Sequence, residues 1–104
     1  MTAQPTMTDS YAMTVPMRLV ADTRVEFRAK ALEHLERAAQ QGARDFVLEL
    51  GDTLQVDASG LGILVLIEKR ARERGMRTVL VQPAAELRHL LNVTRLDYLF
   101  RIAH

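Results

Sequence analysis

FVLELGDTLQVDASGLGILVLIEKRARERG, residues 46–75, sets the architecture of this chain. Phe46 to Leu50 is an apolar run of strand length, interrupted by Glu49, which marks the strand's exit toward solvent. Gly51-Asp52 forms a turn pair. Leu54-Gln55-Val56 leads the chain back inward to the tetrad Asp57-Ala58-Ser59-Gly60. Leu61 to Arg74 reads as a helix. Its first half is apolar, and its second half, from Glu68, is a solvated face carrying only Ala71 inward. Such a first half is either buried on more than one side or awaits a partner. Gly75 ends the helix. The polar tetrad therefore lies at a strand-to-helix junction, a common place for binding sites in α/β folds.

Upstream, Tyr11, Met13, Val15, Met17 and Leu19 alternate with other residues, the mark of a strand with one buried face. Pro16 cannot donate to a ladder, so this strand lies at an edge or breaks in two. Residues 1–10 read as a flexible N-terminal tail and 11–104 as one domain. A first helix spans Ala21 to Gln41. Thr23 is its N-cap, and Glu26, three residues on, suits a capping box. Phe27, Ala31, Leu32, Leu35, Ala38 and Ala39 form its apolar stripe, and Gly42 supplies a left-handed stop.

Downstream, Arg77 to Val81 is a short strand. Pro83 suits the first turn of a helix running to about Leu91, with Asn92 as its cap. Thr94 and Asp97 suggest a second short helical start. Leu96 to Ile102 then closes the domain as a helical turn and a last short strand. The alternation of strands and helices predicts an α/β fold. The expected form is a small, mixed, mostly parallel sheet of about four strands layered against helices.

Bulk properties narrow the function. With 104 residues the chain suits one core. The formal net charge is +1, and the arginines are interleaved with Asp and Glu, so nothing points to nucleic acid. No run approaches the ~20 apolar residues of a membrane helix, and the N-terminus has no signal-peptide pattern. The absence of cysteine excludes disulfide and thiolate chemistry and suits a cytoplasmic location. His34, His89 and His104 do not cluster, and His34 and His89 read as surface helix residues, so neither a metal nor another cofactor is expected. Ser59 has no G-x-S-x-G context, because residue 57 is Asp, so no catalytic residue is assigned. Ser59 instead reads as the cap of a helix beginning near Gly60, a role Asp57, two positions earlier, could also fill. Gly60-x-Gly62 is too short for a phosphate cradle and suits close helix packing.

Asp57-Ala58-Ser59-Gly60-Leu61-Gly62-Ile63-Leu64-Val65 resembles the signature of STAS domains, which include the bacterial anti-sigma factor antagonists. The resemblance extends over about residues 19–102. It implies a non-enzymatic α/β module that binds an anti-sigma factor, itself a serine kinase whose phosphorylation of the antagonist releases it. The partner surface implied is Asp57, Ala58, Ser59, Gly60 and Leu61, with Asp22 to Arg24 and Leu54-Gln55 nearby. In the usual motif the acceptor hydroxyl directly follows the Asp. That position here is Ala58, which has none. Three expectations follow: a module held in its binding-competent form, a switch displaced to Ser59 as phosphorylation site, or a STAS subunit of a lipid-transport ABC system or signalling scaffold. A homodimer through the same face or the N-terminal strand is also left open.

Overall fold

The computed structural model describes residues 9–104. Four strands form one sheet: β1 (Ser10–Thr14), β3 (Asp45–Glu49), β5 (Arg77–Val81) and β6 (Arg101–Ala103), in the order β1-β3-β5-β6. Every neighbouring pair runs parallel. Two two-residue strands, β2 (Arg18–Leu19) and β4 (Gln55–Val56), form a separate parallel ladder. The helices are α1 (Arg24–Gln40), α2 (Ala58–Glu73) and α3 (Ala85–Val93), and a single 3₁₀ turn spans Asp97–Leu99. The expected tail at 1–10 falls mostly outside the described residues. Its last residue, Ser10, opens β1, and the Asp9 carbonyl just before it accepts from the Arg44 and Asp45 amides.

The strand order follows the chain order, so each crossover steps in the same direction. Right-handed crossovers of one direction return their helices to one side of a sheet. Burial agrees with this. Met13, Phe46, Leu48 and Leu80 are in the core with Phe27, Ala31 and Leu35 of α1 and Leu64 and Ile67 of α2. The other face carries Ala12, Thr14, Glu49, Arg77 and Arg101, all exposed, around the half-buried Val47 and Val81 and the buried Val79. Glu49 thus faces solvent, as its place in the strand suggests.

Pro16 lies between β1 and β2, and β1 is an edge strand. The gap is held by Thr53, which is 4% exposed; its hydroxyl donates to the Val15 and Pro16 carbonyls at 3.2 and 2.9 Å. The alternation breaks at this gap, because Met17 is 59% exposed while Val15 and Leu19 are buried.

All three helices end in the same motif. Gly42 donates to the Ala39 carbonyl and Ala43 to that of Ala38; Gly75 donates to Arg72 and Met76 to Ala71; Arg95 donates to Asn92 and Leu96 to Leu91. Each pair is a Schellman closure, whose turning residue is left-handed. Gly42 and Gly75 take that conformation at φ 75° and 77°. The third turn uses Arg95 at φ 61°.

Other helix boundaries correct the sequence expectations. The Thr23 side chain makes no capping bond to α1; its hydroxyl accepts from Val20 N–H and donates to the Arg18 carbonyl, closing the loop back onto β2. Pro83 lies two residues before α3, whose N-cap is Ala84. Asn92 lies within α3, and Thr94 ends it, donating its hydroxyl to the Leu90 and Leu91 carbonyls. His34 is half-buried, with Nδ1 2.8 Å from the Tyr11 hydroxyl. Glu68 departs most from its expected solvated face. It is 2% exposed, and its Oε1 accepts from the Thr78 amide at 3.2 Å while Oε2 accepts from Arg72 at 3.0 and 2.6 Å.

The left-handed Arg95 carries a steric cost that glycine would not. Arg95→Gly is expected to stabilise the domain by roughly 0.5–1 kcal/mol in urea unfolding, after the added unfolded-state entropy is offset.

Candidate functional site

The corner between β4 and α2 is built around the carboxylate of Asp57. Asp57 is the N-cap of α2, in extended backbone conformation, and its Oδ1 accepts from the Gly60 amide at 2.9 Å. Its Oδ2 accepts from the Ala21 amide at 3.2 Å. One carboxylate therefore joins the start of α2 to the loop between β2 and α1. The main chain repeats the link, since the Asp57 amide donates to the Leu19 carbonyl at 3.3 Å. The backbone donors, Gly60 foremost and then Ala21, hold the Asp57 carboxyl below its ordinary range, against a smaller opposing effect of desolvation. Asp57 thus keeps its negative charge at the positive end of the α2 dipole.

Gly60 is required by the same junction. A Cβ on Gly60 would fall 2.0 Å from the Leu19 carbonyl oxygen. Two elements cross here with backbone almost against backbone. Gly62 is different: it is exposed, and a Cβ there would meet nothing within 4 Å.

The five predicted site residues divide into supports and surface. Gly60 and Leu61 are buried and anchor the helix start. Asp57 and Ser59 are half-buried. Ala58 is exposed and is the first residue of α2. The expected Ser59 cap is therefore replaced by Asp57, because α2 begins at Ala58 and places Ser59 inside its first turn. Ala21, just before the predicted neighbours Asp22 to Arg24, is bound to Asp57, and Asp22 and Arg24 are exposed.

One surface residue, Met17, was missed by the sequence reading; it stands beside Leu54, which that reading had already placed near the corner. Met17 is 59% exposed and Leu54 69% exposed. They are adjacent across the entry to the short ladder, where the Leu54 amide donates to the Met17 carbonyl at 2.8 Å. The signal available was only the proline before Met17, which frees a residue from strand alternation. Among the described residues no group of three or more His, Cys, Asp or Glu could hold a metal ion, and no helix is long and apolar enough to cross a membrane.

Comparison with known proteins gives a consistent fold. A family model described as "Mlab, STAS domain" matches residues 8–101. None of the curated proteins matches the sequence significantly. Among solved structures, the chain is similar to TM1081 of Thermotoga maritima, described as a candidate anti-sigma factor antagonist, at TM-score 0.77 and 23% identity, covering 92% of this chain and 80% of that one. It is also similar to the anti-sigma factor antagonist SpoIIAA in its unphosphorylated form, at TM-score 0.66 and 16% identity over 93% of this chain and 81% of that one. The phosphorylated form from Bacillus gives TM-score 0.65 and 18% identity over 93% and 85%. At these identities the likeness to the solved structures is one of fold.

Two measurements test the corner. Gly60→Ala is expected to destabilise the domain by about 3 kcal/mol or more through overpacking, while Gly62→Ala is neutral or stabilising by up to about 1 kcal/mol. Equal effects in urea unfolding would refute the close crossing. The lowered Asp57 pKa implies that its stabilising contribution is present above the unfolded-state value and is lost as pH falls through the folded-state value. The Tm advantage of the native protein over Asp57→Asn is therefore expected to shrink steadily below about pH 4, from the ordinary carboxylate range downward.

Proposed function

Because the chain belongs to the STAS domain family, a family of non-catalytic protein-interaction modules, we propose that it docks a protein partner on the Asp57–Leu61 corner and stays permanently competent to do so. The observation that carries this reading is Ala58. It occupies the position where the usual antagonist motif has its acceptor hydroxyl, it is the first residue of α2, and its side chain is exposed. A methyl group there accepts no phosphate. The off-switch of an antagonist is absent at that position, while the helix start that presents it is fully built.

The docking surface joins this corner to the apolar pair Met17 and Leu54 through the β2–β4 ladder. Small Ala58 lets a partner approach the helix end closely, and the apolar pair supplies area to bury. The partner proposed is an anti-sigma factor of serine-kinase type, and the process is partner-switch signalling in the cytoplasm. The resemblance of the motif and the fold shared with SpoIIAA support this choice. A STAS subunit of a lipid-transport ABC system is the second reading. It is favoured by the same Ala58, since a constitutive subunit needs no phosphoryl release. In either case Ser59 is a first-turn helix residue rather than an acceptor, and a phosphate on it would lie against the Asp57 carboxylate, which opposes it.

A pull-down from native lysate, with ATP added and intact-mass analysis of the bait, separates these readings. Capture of a kinase-like anti-sigma factor with the bait at unmodified mass is the expected result. One added phosphate mapped to Ser59 would show a displaced switch, and recovery of a transport ATPase would replace the signalling reading with the second one. With the captured partner, Ala58→Glu is expected to weaken binding at least tenfold, roughly 1.4 kcal/mol or more, by adding charge at the contact. Unchanged affinity would place the partner elsewhere on the domain.

A further inference from the structure

At the other end of α2, away from the corner, an open cleft of about 480 Å³ is cut into the rim of the sheet. Its walls come from the last turns of α2, the start of β5, and the 3₁₀ turn leading into β6. β6 pairs with β5 only from Val79 onward, so the first two residues of β5 have no strand beside them on that edge. The cleft occupies this gap.

Its chemistry is unlike that of the rest of the surface. The whole chain has a formal net charge of +1. The cleft alone is lined by Arg72, Arg77 and Arg101 against the single carboxylate of Glu68. That carboxylate is already engaged, with Oε1 on the Thr78 amide and Oε2 on Arg72. The double contact to Oε2 fixes the Arg72 side chain at the wall while leaving it 69% exposed. Neither Arg77 nor Arg101 is in an ion pair with a carboxylate among the described residues, although Asp45 is the cross-strand register partner of Arg77. Arg72 also lies in the last turn of α2, where it offsets the negative end of the helix dipole.

The remaining lining is apolar or aromatic. Met76 and Phe100 are buried at 4% and 7%, while Tyr98 is 77% exposed at the mouth. Guanidinium groups present planar forks that match the oxygens of a phosphate, and an exposed tyrosine offers a face for an apolar or aromatic body. The volume falls within the range of small-ligand sites.

We propose that this cleft binds a small phosphate monoester, its phosphate held between Arg77 and Arg101 and its organic part against Tyr98 and Phe100. The site is separate from the partner corner and does not depend on its reading.

The test uses the full chain, labelled with ¹⁵N, titrated at low salt with phenyl phosphate and, separately, with inorganic phosphate. Phenyl phosphate is expected to shift the amides of Arg77 and of Tyr98 to Arg101, to leave Asp57 to Leu61 in place, and to bind at least tenfold more tightly than inorganic phosphate. Arg77→Gln with Arg101→Gln is expected to lower phenyl phosphate affinity at least tenfold, with the remaining spectrum showing an intact fold. Tyr98→Ala, which removes an exposed ring, keeps the test informative should the double variant fold poorly; it is expected to abolish the preference for phenyl phosphate over inorganic phosphate. Shifts spread over arginines across the surface, equal affinity for the two anions, or unchanged binding by the variants would each overturn the proposal.

Discussion

The carboxylate of Asp57 is the constraint on which the corner depends. It accepts one amide from each of two helix-entry segments, Gly60 at the start of α2 and Ala21 before α1. The β2–β4 ladder between those segments is only two residues long on each side and could not fix their angle unaided. The near-contact of Gly60 with the Leu19 carbonyl completes the arrangement by bringing the two backbones together. A charge, a glycine and a short ladder thus position Ala58, and the surface residue itself makes none of these bonds.

The sheet shows how topology divides the molecule. With strands in sequential order, the helices gather on one side, and the core forms between that side and α1 and α2. Parallel sheets are ordinarily covered on both faces. Here the second face is instead protected by charged and small residues, Glu49, Arg77, Arg101, Ala12 and Thr14, around three valines, Val47, Val79 and Val81. Long arginine side chains shield apolar strand surface while their heads stay in water. Parallel topology also sends every strand's C-terminal end to the same side, where the Asp57 corner is built.

Much of this was legible in the sequence, where local chemistry alone decides. The strands Asp45–Glu49 and Arg77–Val81 followed from apolar runs, the ends of α1 and α2 from Gly42 and Gly75, and the break in the first strand from Pro16. The end of α3 was hidden because its left-handed residue is an arginine. Glu68 was assigned to water because it opens a charged run, and only the tertiary approach of Thr78 gives its carboxylate a buried donor. Thr23 had the spacing of a capping box, yet the loop from β2 offered its hydroxyl closer partners. At the site, the motif singled out five consecutive residues, but their division into buried supports and exposed surface rests on a contact between residues 19 and 60 that no local pattern encodes.

The length of α2 sets the terms on which the two ends of the domain can influence one another. Sixteen residues of helix separate them by about 24 Å, whereas ionic screening at physiological salt acts over about 8 Å. Charge added at one end is therefore almost invisible at the other through the solvent. Any communication between them must be mechanical, a tilt or slide of the helix against β5, and the Glu68 tether to Thr78 resists that movement. The domain is in this sense electrically divided and mechanically continuous.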